Sequence, residues 1–373
     1  MLFSAALIVR NEEKFLESCL LSIRGLVDEI IVVDTGSTDR TQAIALEQGA
    51  KLHEFKWKHD FAAARNHALD LARGKWILYI DADERVHSVD VARFRERLLD
   101  PAFVAHSVQL HPRLGSTAYP ELRIFRNDPR IRFSGRIHEN IWPGINRYRS
   151  QRGGRIGTSE LVLSHEGYEC DQYYKHRRNL PLLRMALKED PDRVFSWCHL
   201  ANIYTAFGKE RQGKKAWKRV LDIVRKNKNP RSEDSLPFIG MIRWKLRHNQ
   251  NALALINEAI RRFPANLQLH WLHGKILMDA GHFKEAIGVF EHVLFSAKSG
   301  QYDHAIAYDK RLLDVFPLSE LATCYFKLQD YGKSGLYFEQ ALQIDPSNLE
   351  YRVKRALCSK LENSIEIKHE PEP

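Results

Sequence analysis

A chain of 373 residues with 44% hydrophobic and 28% charged residues is too long for one compact core and too ordinary in composition for disorder or a fibre, so a globular protein of two domains is expected. The formal net charge of +10, from 57 Lys+Arg against 47 Asp+Glu, favours anionic ligands or surfaces and names none of them. No apolar run reaches the roughly 18 residues needed to span a bilayer, and the five cysteines are odd in number and without CxxC spacing, which supports neither a disulfide framework nor a zinc site and fits a reducing cytoplasm.

The N-terminal MLFSAALIV lacks a basic start and runs into Arg10-Asn11-Glu12-Glu13 without a cleavage site, so it reads as a first strand and not as a signal peptide. One pattern then occurs three times in the first 85 residues: an apolar run ends in polar residues, twice with a helical segment after it. Ala5 to Val9 leads to Asn11 and a helix to about Arg24, Glu29 to Val33 leads to Asp34 and a helix to about Gln48, and Trp76 to Ile80 leads to Asp81. Continuous apolar strands imply a parallel sheet covered by helices on both faces. Asn11 and Asp39 are candidate helix caps, and Gly49 and Gly74 sit where helices should stop. Ligands of open α/β sheets bind at the carboxyl ends of strands, which makes Asp34, Asp81 and Asp83 candidates for one crevice.

Within WILYIDADER, residues 76–85, the carboxylates Asp81 and Asp83 stand at a strand end separated by one residue. Oxygen ligands in that arrangement favour Mg²⁺ or Mn²⁺ over zinc, and such ions usually arrive with a substrate phosphate. A solvated turn would give the same D-x-D, a pattern common by chance. Three further stretches accompany this one: LIVRNEE at 7–13, VVDTGSTDRT at 32–41 and FAAARNHAL at 61–69. With YIDADE at 79–84, in this order and spacing, they resemble the family 2 glycosyltransferases of the GT-A fold. The resemblance implies that Asp34 contacts the nucleotide base, and that Asp81 and Asp83 bind the ribose and the metal-bound diphosphate of a sugar-nucleotide. Thr35 replaces a second aspartate of many members and leaves the nucleotide open, with a UDP-sugar as the expected donor. The resemblance also places Arg65-Asn66 facing the nucleotide, where a guanidinium would offset diphosphate charge; a surface salt bridge is the alternative.

From Leu122 to Arg155 there are nine arginines, Arg123, Arg126, Arg132 and Arg136 among them, against two acids, Asp128 and Glu139. Such a run would hold a diphosphate or an anionic acceptor, with Arg136 the residue assigned here to the donor, or it is a solvated face. FSGRIHENI at 133–141 and LSHEGY at 163–168 resemble the second half of the catalytic domain in family members that carry helical repeats. An inverting transferase needs a base for the acceptor proton; Glu139 is the first candidate and His138 the second. The resemblance makes His165, after a β-like run, a third metal ligand beside Asp81 and Asp83.

After residue 172 the pattern is nearly all helical and repeats. Trp197, Leu200, Ala201, Tyr204 and Gly208 match the start of a tetratricopeptide repeat, and Gly240 and Gly274 lie one 34-residue period apart. The next small position, Ala322, comes 48 residues after Gly274, so an extra helix or loop is expected around Ser296 to Asp314. The expected fold is therefore an α/β GT-A domain, Rossmann-like with a mostly parallel sheet, over residues 1–172, an all-α tetratricopeptide-repeat superhelix over 173–363, and a flexible tail over 364–373.

This two-part architecture is similar to the bacterial peptide S-glycosyltransferases of the sublancin type, which glycosylate cysteine in bacteriocins. The resemblance implies inverting, metal-dependent transfer from a nucleotide-sugar to a peptide, protein or glycan acceptor. A transferase acting on a lipid or cell-surface glycan and a non-catalytic repeat scaffold with a vestigial nucleotide domain stand as alternatives. A nucleotidyltransferase is disfavoured, because no Gly-rich phosphate loop or activating lysine follows the first strand. The repeats would recruit the acceptor or form a homodimer. Neither a nucleic-acid partner nor a transmembrane segment is expected, and the location is cytoplasmic or peripheral to a membrane.

Overall fold

The computed structural model describes residues 1–87, 89–112, 115–167 and 172–366. The chain forms two compact units, Met1–Leu114 with Ala118–Ala216, and Gly115–Thr117 with Trp217–Pro373.

The first unit opens with β1 (Phe3–Val9), α1 (Leu16–Ile23), β2 (Glu29–Asp34), α2 (Thr41–Glu47), β3 (Lys51–Glu54), α3 (Phe61–Leu71) and β4 (Trp76–Tyr79). These strands pair in parallel, β1 lying between β2 and β4 with Val9 opposite Asp34 and Ala6 opposite Tyr79. The sheet continues through β5 (Glu84–Val86), β6 (Phe103–His111), β7 (Tyr119–Arg126) and β8 (Arg155–His165), with α4 (Val91–Arg97) and α5 (Trp142–Arg152) between them. The strand order is β3-β2-β1-β4-β7-β6-β8-β5; β4–β7, β6–β7 and β5–β8 are antiparallel, so the sheet is mixed beyond β4. β3 was not legible because Lys51-Leu52-His53-Glu54 carries a single apolar residue.

The apolar run at 76–80 is continuous because both of its faces are buried. Trp76, Leu78 and Ile80 enter one core with Phe3, Leu7 and Leu20, while Ile77 and Tyr79 enter the other with Ala6, Ile31 and Phe125. Each such large side chain contributes about 1.5–3 kcal/mol by leaving water. Gly74 lets the chain reach β4: a Cβ there would stand 2.7 Å from the Ser4 main-chain nitrogen. Neither expected cap occupies an N-cap position. Asn11 (φ 55°) accepts from the Thr38 N–H at 2.8 Å, and Asp39 accepts from the N–H groups of Thr41 at 3.0 Å and Glu13 at 3.2 Å, which ties together the loops that follow β1 and β2.

The boundary expected at residue 172 falls inside the first unit, which continues through α6 (Gln172–Glu189) and α7 (Val194–Ala206) into α8 (Glu210–Lys226). The reason is a shared core: Leu182, Leu183 and Ala186 of α6 and Ile203 of α7 pack on Ile137, with Trp57 and Phe61 against them.

The second unit holds α9 (Leu236–Arg247), α10 (Leu253–Arg262), α11 (Leu267–Asp279), α12 (Phe283–Ser299), α13 (Val315–Lys327), α14 (Tyr331–Ile344) and α15 (Leu349–Glu366). The small residues of the repeat sit under aromatic rings: a Cβ at Gly274 would lie 2.5 Å from Phe290 Cζ, one at Gly240 would lie 2.5 Å from Trp217 Cζ2, and fully buried Ala322 shares a cluster with Phe338. The insertion is a loop, not an added α-helix: α12 closes at Gly300 (φ 69°), and a single 3₁₀ turn, Lys310–Leu313, brings Leu312 and Tyr308 onto Leu267 and Val293. The expected tail begins as helix, since α15 runs to Glu366; residues 367–373 lie outside the described residues.

Candidate active site

The carboxyl ends of β1, β2 and β4 open into a cleft of about 410 Å³ within the first unit. Its floor is a row of alternating charges. α3 starts where Asp60 accepts from the Ala63 N–H at 2.9 Å, and its small residues Ala64 and Ala68 seat the helix against the sheet, so that Arg65 is only 7% exposed. Arg65 Nη2 donates to Asp81 Oδ1 at 2.7 Å and Arg65 Nε to Glu139 Oε1 at 2.5 Å. Arg123 of β7 stands across the Tyr79 ring, its guanidinium 4.5 Å from the ring centroid against 5.0 Å for Arg65, and donates to Glu84 Oε1 at 2.7 Å.

This arrangement sets the protonation states. Burial opposes ionisation of Asp81, but Arg65 and Arg123 outweigh it and hold the carboxyl down at about 2. Asp83 is pushed up by burial and then by Asp81, with His165 opposing; His165 Nε2 lies 3.3 Å from Asp83 Oδ2. Glu12, which follows β1 on the same wall, is raised to about 7 by burial and then by Asp83 and Asp81. Glu84 is raised to about 7, first by burial and then by Asp81, although Arg123 opposes this.

β5 pairs with β8 so that Glu84 faces His165, the Glu166 N–H donates to the Asp83 carbonyl at 2.8 Å, and Gly167 leaves room for Asp83, whose Cβ would be 2.6 Å from a Cβ at 167. Among the described residues no three His, Cys, Asp or Glu side chains gather to hold a metal ion. Of the expected set, Asp83 and His165 stand 3.3 Å apart, while Asp81 is ion-paired with Arg65. Asp83 and His165 remain close enough to share one cation, and Mg²⁺ is commonly held by one or two side chains with substrate phosphates and waters.

The 135–139 segment forms another wall. His138 has φ 53°, a left-handed conformation costing about 1 kcal/mol or more outside glycine. Its ring stacks on His199 at 3.9 Å and meets Phe195 at 5.0 Å. Burial, then His199 and Arg193, holds the imidazole down at about 3, so it is neutral at ordinary pH. His138 and Glu139 both line the cleft.

Three assigned residues do not line it. Asp34 is 2% exposed, and its carboxylate accepts from Gly36 N, Ser37 N, the Ser37 hydroxyl and Gln42 Nε2, while neighbouring Thr35 faces the cleft. Asn66 donates to the Phe133 carbonyl at 3.0 Å and accepts from its N–H at 2.8 Å, which joins α3 to the 131–139 segment. Arg136 is not among the lining residues; its Nε donates to Glu189 at 2.5 Å. Conversely, Glu12, Lys175 and Arg178 line the cleft without having been singled out. Glu12 lies in a quoted motif, but nothing in its neighbours distinguishes it from Glu13; the two cations sit on a helix whose approach to the cleft is a tertiary fact.

An open α/β sheet with a D-x-D strand end beneath a polar cleft is a ligand-binding arrangement, here followed by paired helices. Residues 4–156 match glycosyl transferase family 2, and residues 239–297 and 315–348 match tetratricopeptide repeats, so the chain carries a family 2 glycosyltransferase domain followed by these repeats. It is 41% identical over 173 residues to a TPR repeat-containing protein of Synechococcus elongatus, covering 45% of this chain and 43% of that one. It is 30% identical over 200 residues to the SPbeta prophage-derived glycosyltransferase SunS of Bacillus subtilis, covering 51% and 46%. It is 29% identical over 185 residues to the lipopolysaccharide core biosynthesis glycosyltransferase LpsC of Rhizobium meliloti, covering 46% and 68%. The chain spans less than half the length of the first two relatives.

Proposed function

We propose that the protein is an inverting, metal-dependent glycosyltransferase that moves a sugar from a nucleotide-sugar, a UDP-sugar first among them, to a peptide, protein or glycan acceptor. The observation that carries this reading is the floor of the cleft, where Arg65 joins Asp81 to Glu139 at the strand ends of the family 2 domain. Asp83 and His165 would hold Mg²⁺ or Mn²⁺, which when bound supplies Lewis acidity toward the departing diphosphate. Arg65, fixed from two sides by Asp81 and Glu139, would place its positive charge beside the departing diphosphate. Asp34 shapes the base end of the cleft through the 35–37 loop. Glu139 accepts the acceptor's proton as the nucleophile attacks the anomeric carbon.

Peptide and glycan acceptors are both supported, the first by the resemblance to the sublancin-type architecture and a repeat array suited to holding a chain, the second by the likeness to LpsC. No described helix is long and apolar enough to cross a membrane, and a cytoplasmic location is part of the proposal. The test is incubation of the full chain with radiolabelled UDP-sugars and Mn²⁺. Release of UDP is the expected result; no release from any nucleotide-sugar, with or without peptide and glycan acceptors, overturns the reading.

A further inference from the structure

α6 lies outside the matched family domain, which ends at residue 156, yet it belongs to the first unit. Positions 175, 178, 179, 182, 183 and 186 follow the 3–4 spacing of one helical face. The C-terminal half of that face, Leu182, Leu183 and Ala186, is sealed into the Ile137 core. Its N-terminal half therefore projects Lys175, Arg178 and Asn179 into the cleft that Glu12, Asp81 and Asp83 also line.

Among the described residues neither Lys175 nor Arg178 has a carboxylate within the 4.0 Å of an ion pair. Lys175 Nζ donates to the Gly167 carbonyl at 3.4 Å; Arg178 Nε donates to Asn179 Oδ1 at 3.1 Å, with its guanidinium 5.7 Å from the Phe61 ring centroid. Arg178 is thus steered by an aromatic face and an amide, neither of which neutralises it, and the Glu12 carboxylate acts on it and on Lys175 only from beyond ion-pair distance. Two other cleft arginines, Arg65 and Arg123, are both ion-paired, whereas Arg10, which also lines the cleft, has no ion pair among the described residues.

We infer that Lys175 and Arg178 form an anion-binding wall for a pyrophosphate-type group. A ligand that meets Asp83 and His165 through a divalent cation and α6 through two cations that form no ion pair among the described residues carries several anionic oxygens on one compact group, and a diphosphate does so. Resting on the nucleotide-sugar reading, the inference adds that the helix after the family domain clamps the leaving group. A charge-assisted contact to each cation predicts roughly a tenfold effect apiece.

The test uses inorganic pyrophosphate as the probe, titrated by calorimetry into the full chain with Mg²⁺ at several salt concentrations. The expected result is a loss of affinity of about a hundredfold in Lys175→Gln/Arg178→Gln, about tenfold for each cation, with a shallower salt dependence, and retention of most affinity in Arg178→Lys. Circular dichroism and the melting midpoint check the fold, and Lys175→Gln alone is the milder variant. Unchanged pyrophosphate affinity in the double variant overturns the inference. So does unchanged affinity with a raised KM for the acceptor, which assigns the cations to an anionic acceptor. If wild type turns over no nucleotide-sugar but loses pyrophosphate binding in the double variant, the enzymatic reading fails and this one stands.

Discussion

The Arg193 guanidinium, at the start of α7, donates to the main-chain carbonyl of His138 at 2.5 Å. It also fills the space that a side chain at Gly135 (φ 98°) would need, and His138 itself is held in the left-handed region with its ring on His199. The wall that carries Glu139 is therefore shaped by a helix pair distant in sequence.

Arg193→Ala should lower turnover by tenfold or so with donor affinity little changed and the melting midpoint lowered by a few degrees, because a charge-assisted hydrogen bond is worth roughly 1.5–3 kcal/mol and positions the 135–139 segment. Initial-rate kinetics with donor titration checks this, and Arg193→Lys should recover part of the loss. A chain cut after residue 172 lacks both α6 and α7 and should be inactive even in donor hydrolysis; wild-type hydrolysis in that fragment would show the helix pair to be dispensable.

Glu139→Gln keeps shape and removes basicity. Transfer should fall about a hundredfold with the donor dissociation constant nearly unchanged. Weakened donor binding at a preserved turnover rate would instead make Glu139 a positioning residue for Arg65, to which it is bound at 2.5 Å.

Asp83→Asn should abolish stimulation by Mg²⁺ or Mn²⁺ and reduce donor affinity in their presence, with the fold intact. Asp81→Asn should in addition destabilise the unit, because it leaves the buried Arg65 guanidinium, 7% exposed, with one neutralising carboxylate fewer. Metal titration with activity and melting readouts separates the two, and equal activity in EDTA would remove the metal from the reaction.

Stability should depend on pH through His106, 4% exposed on β6 between Trp76 and Phe103. Burial, then Arg126 and Arg97, lowers its pKa from 6.5 to about 4. The unfolded chain therefore binds the proton first as pH falls, so stability present above pH 6.5 is lost progressively towards pH 4, by about 2 kcal/mol at pH 5 from this residue. His106→Phe should reduce the shift of the urea midpoint between pH 7 and 5. Part of the slope should persist, since His138 and His199 are lowered in the same sense.

Gly274→Ala should destabilise the second unit by about 1–3 kcal/mol, because the added methyl meets the Phe290 ring, itself fully buried. Phe290→Leu in the same chain should return part of that loss, as measured by thermal melts; additive losses would place the strain elsewhere.

What the sequence determined is what local pattern can carry. Trp76 to Ile80 reads as a strand buried on both faces, Asp81 and Asp83 stand at its end because the apolar run stops there, and the 34-residue spacing of Gly240 and Gly274 marks paired helices. The tertiary structure decided which of the polar residues meet. The motif at 61–69 points to Asn66 and the arginine-rich run to Arg136 as ligand contacts, yet Phe133 and Glu189, 67 and 53 residues away, bond to them. Arg65 was recognised, but its two carboxylates come from 16 and 74 residues downstream. Composition cannot distinguish Lys175 and Arg178 from the other basic residues of a chain with 57 of them. They face the cleft only because Leu182, Leu183 and Ala186, on the same helical face, are drawn into a core with Ile137. Helical and strand periodicity follow from neighbours a few residues apart, whereas ion pairing and the aim of a helix follow from distant burial, which no local pattern records.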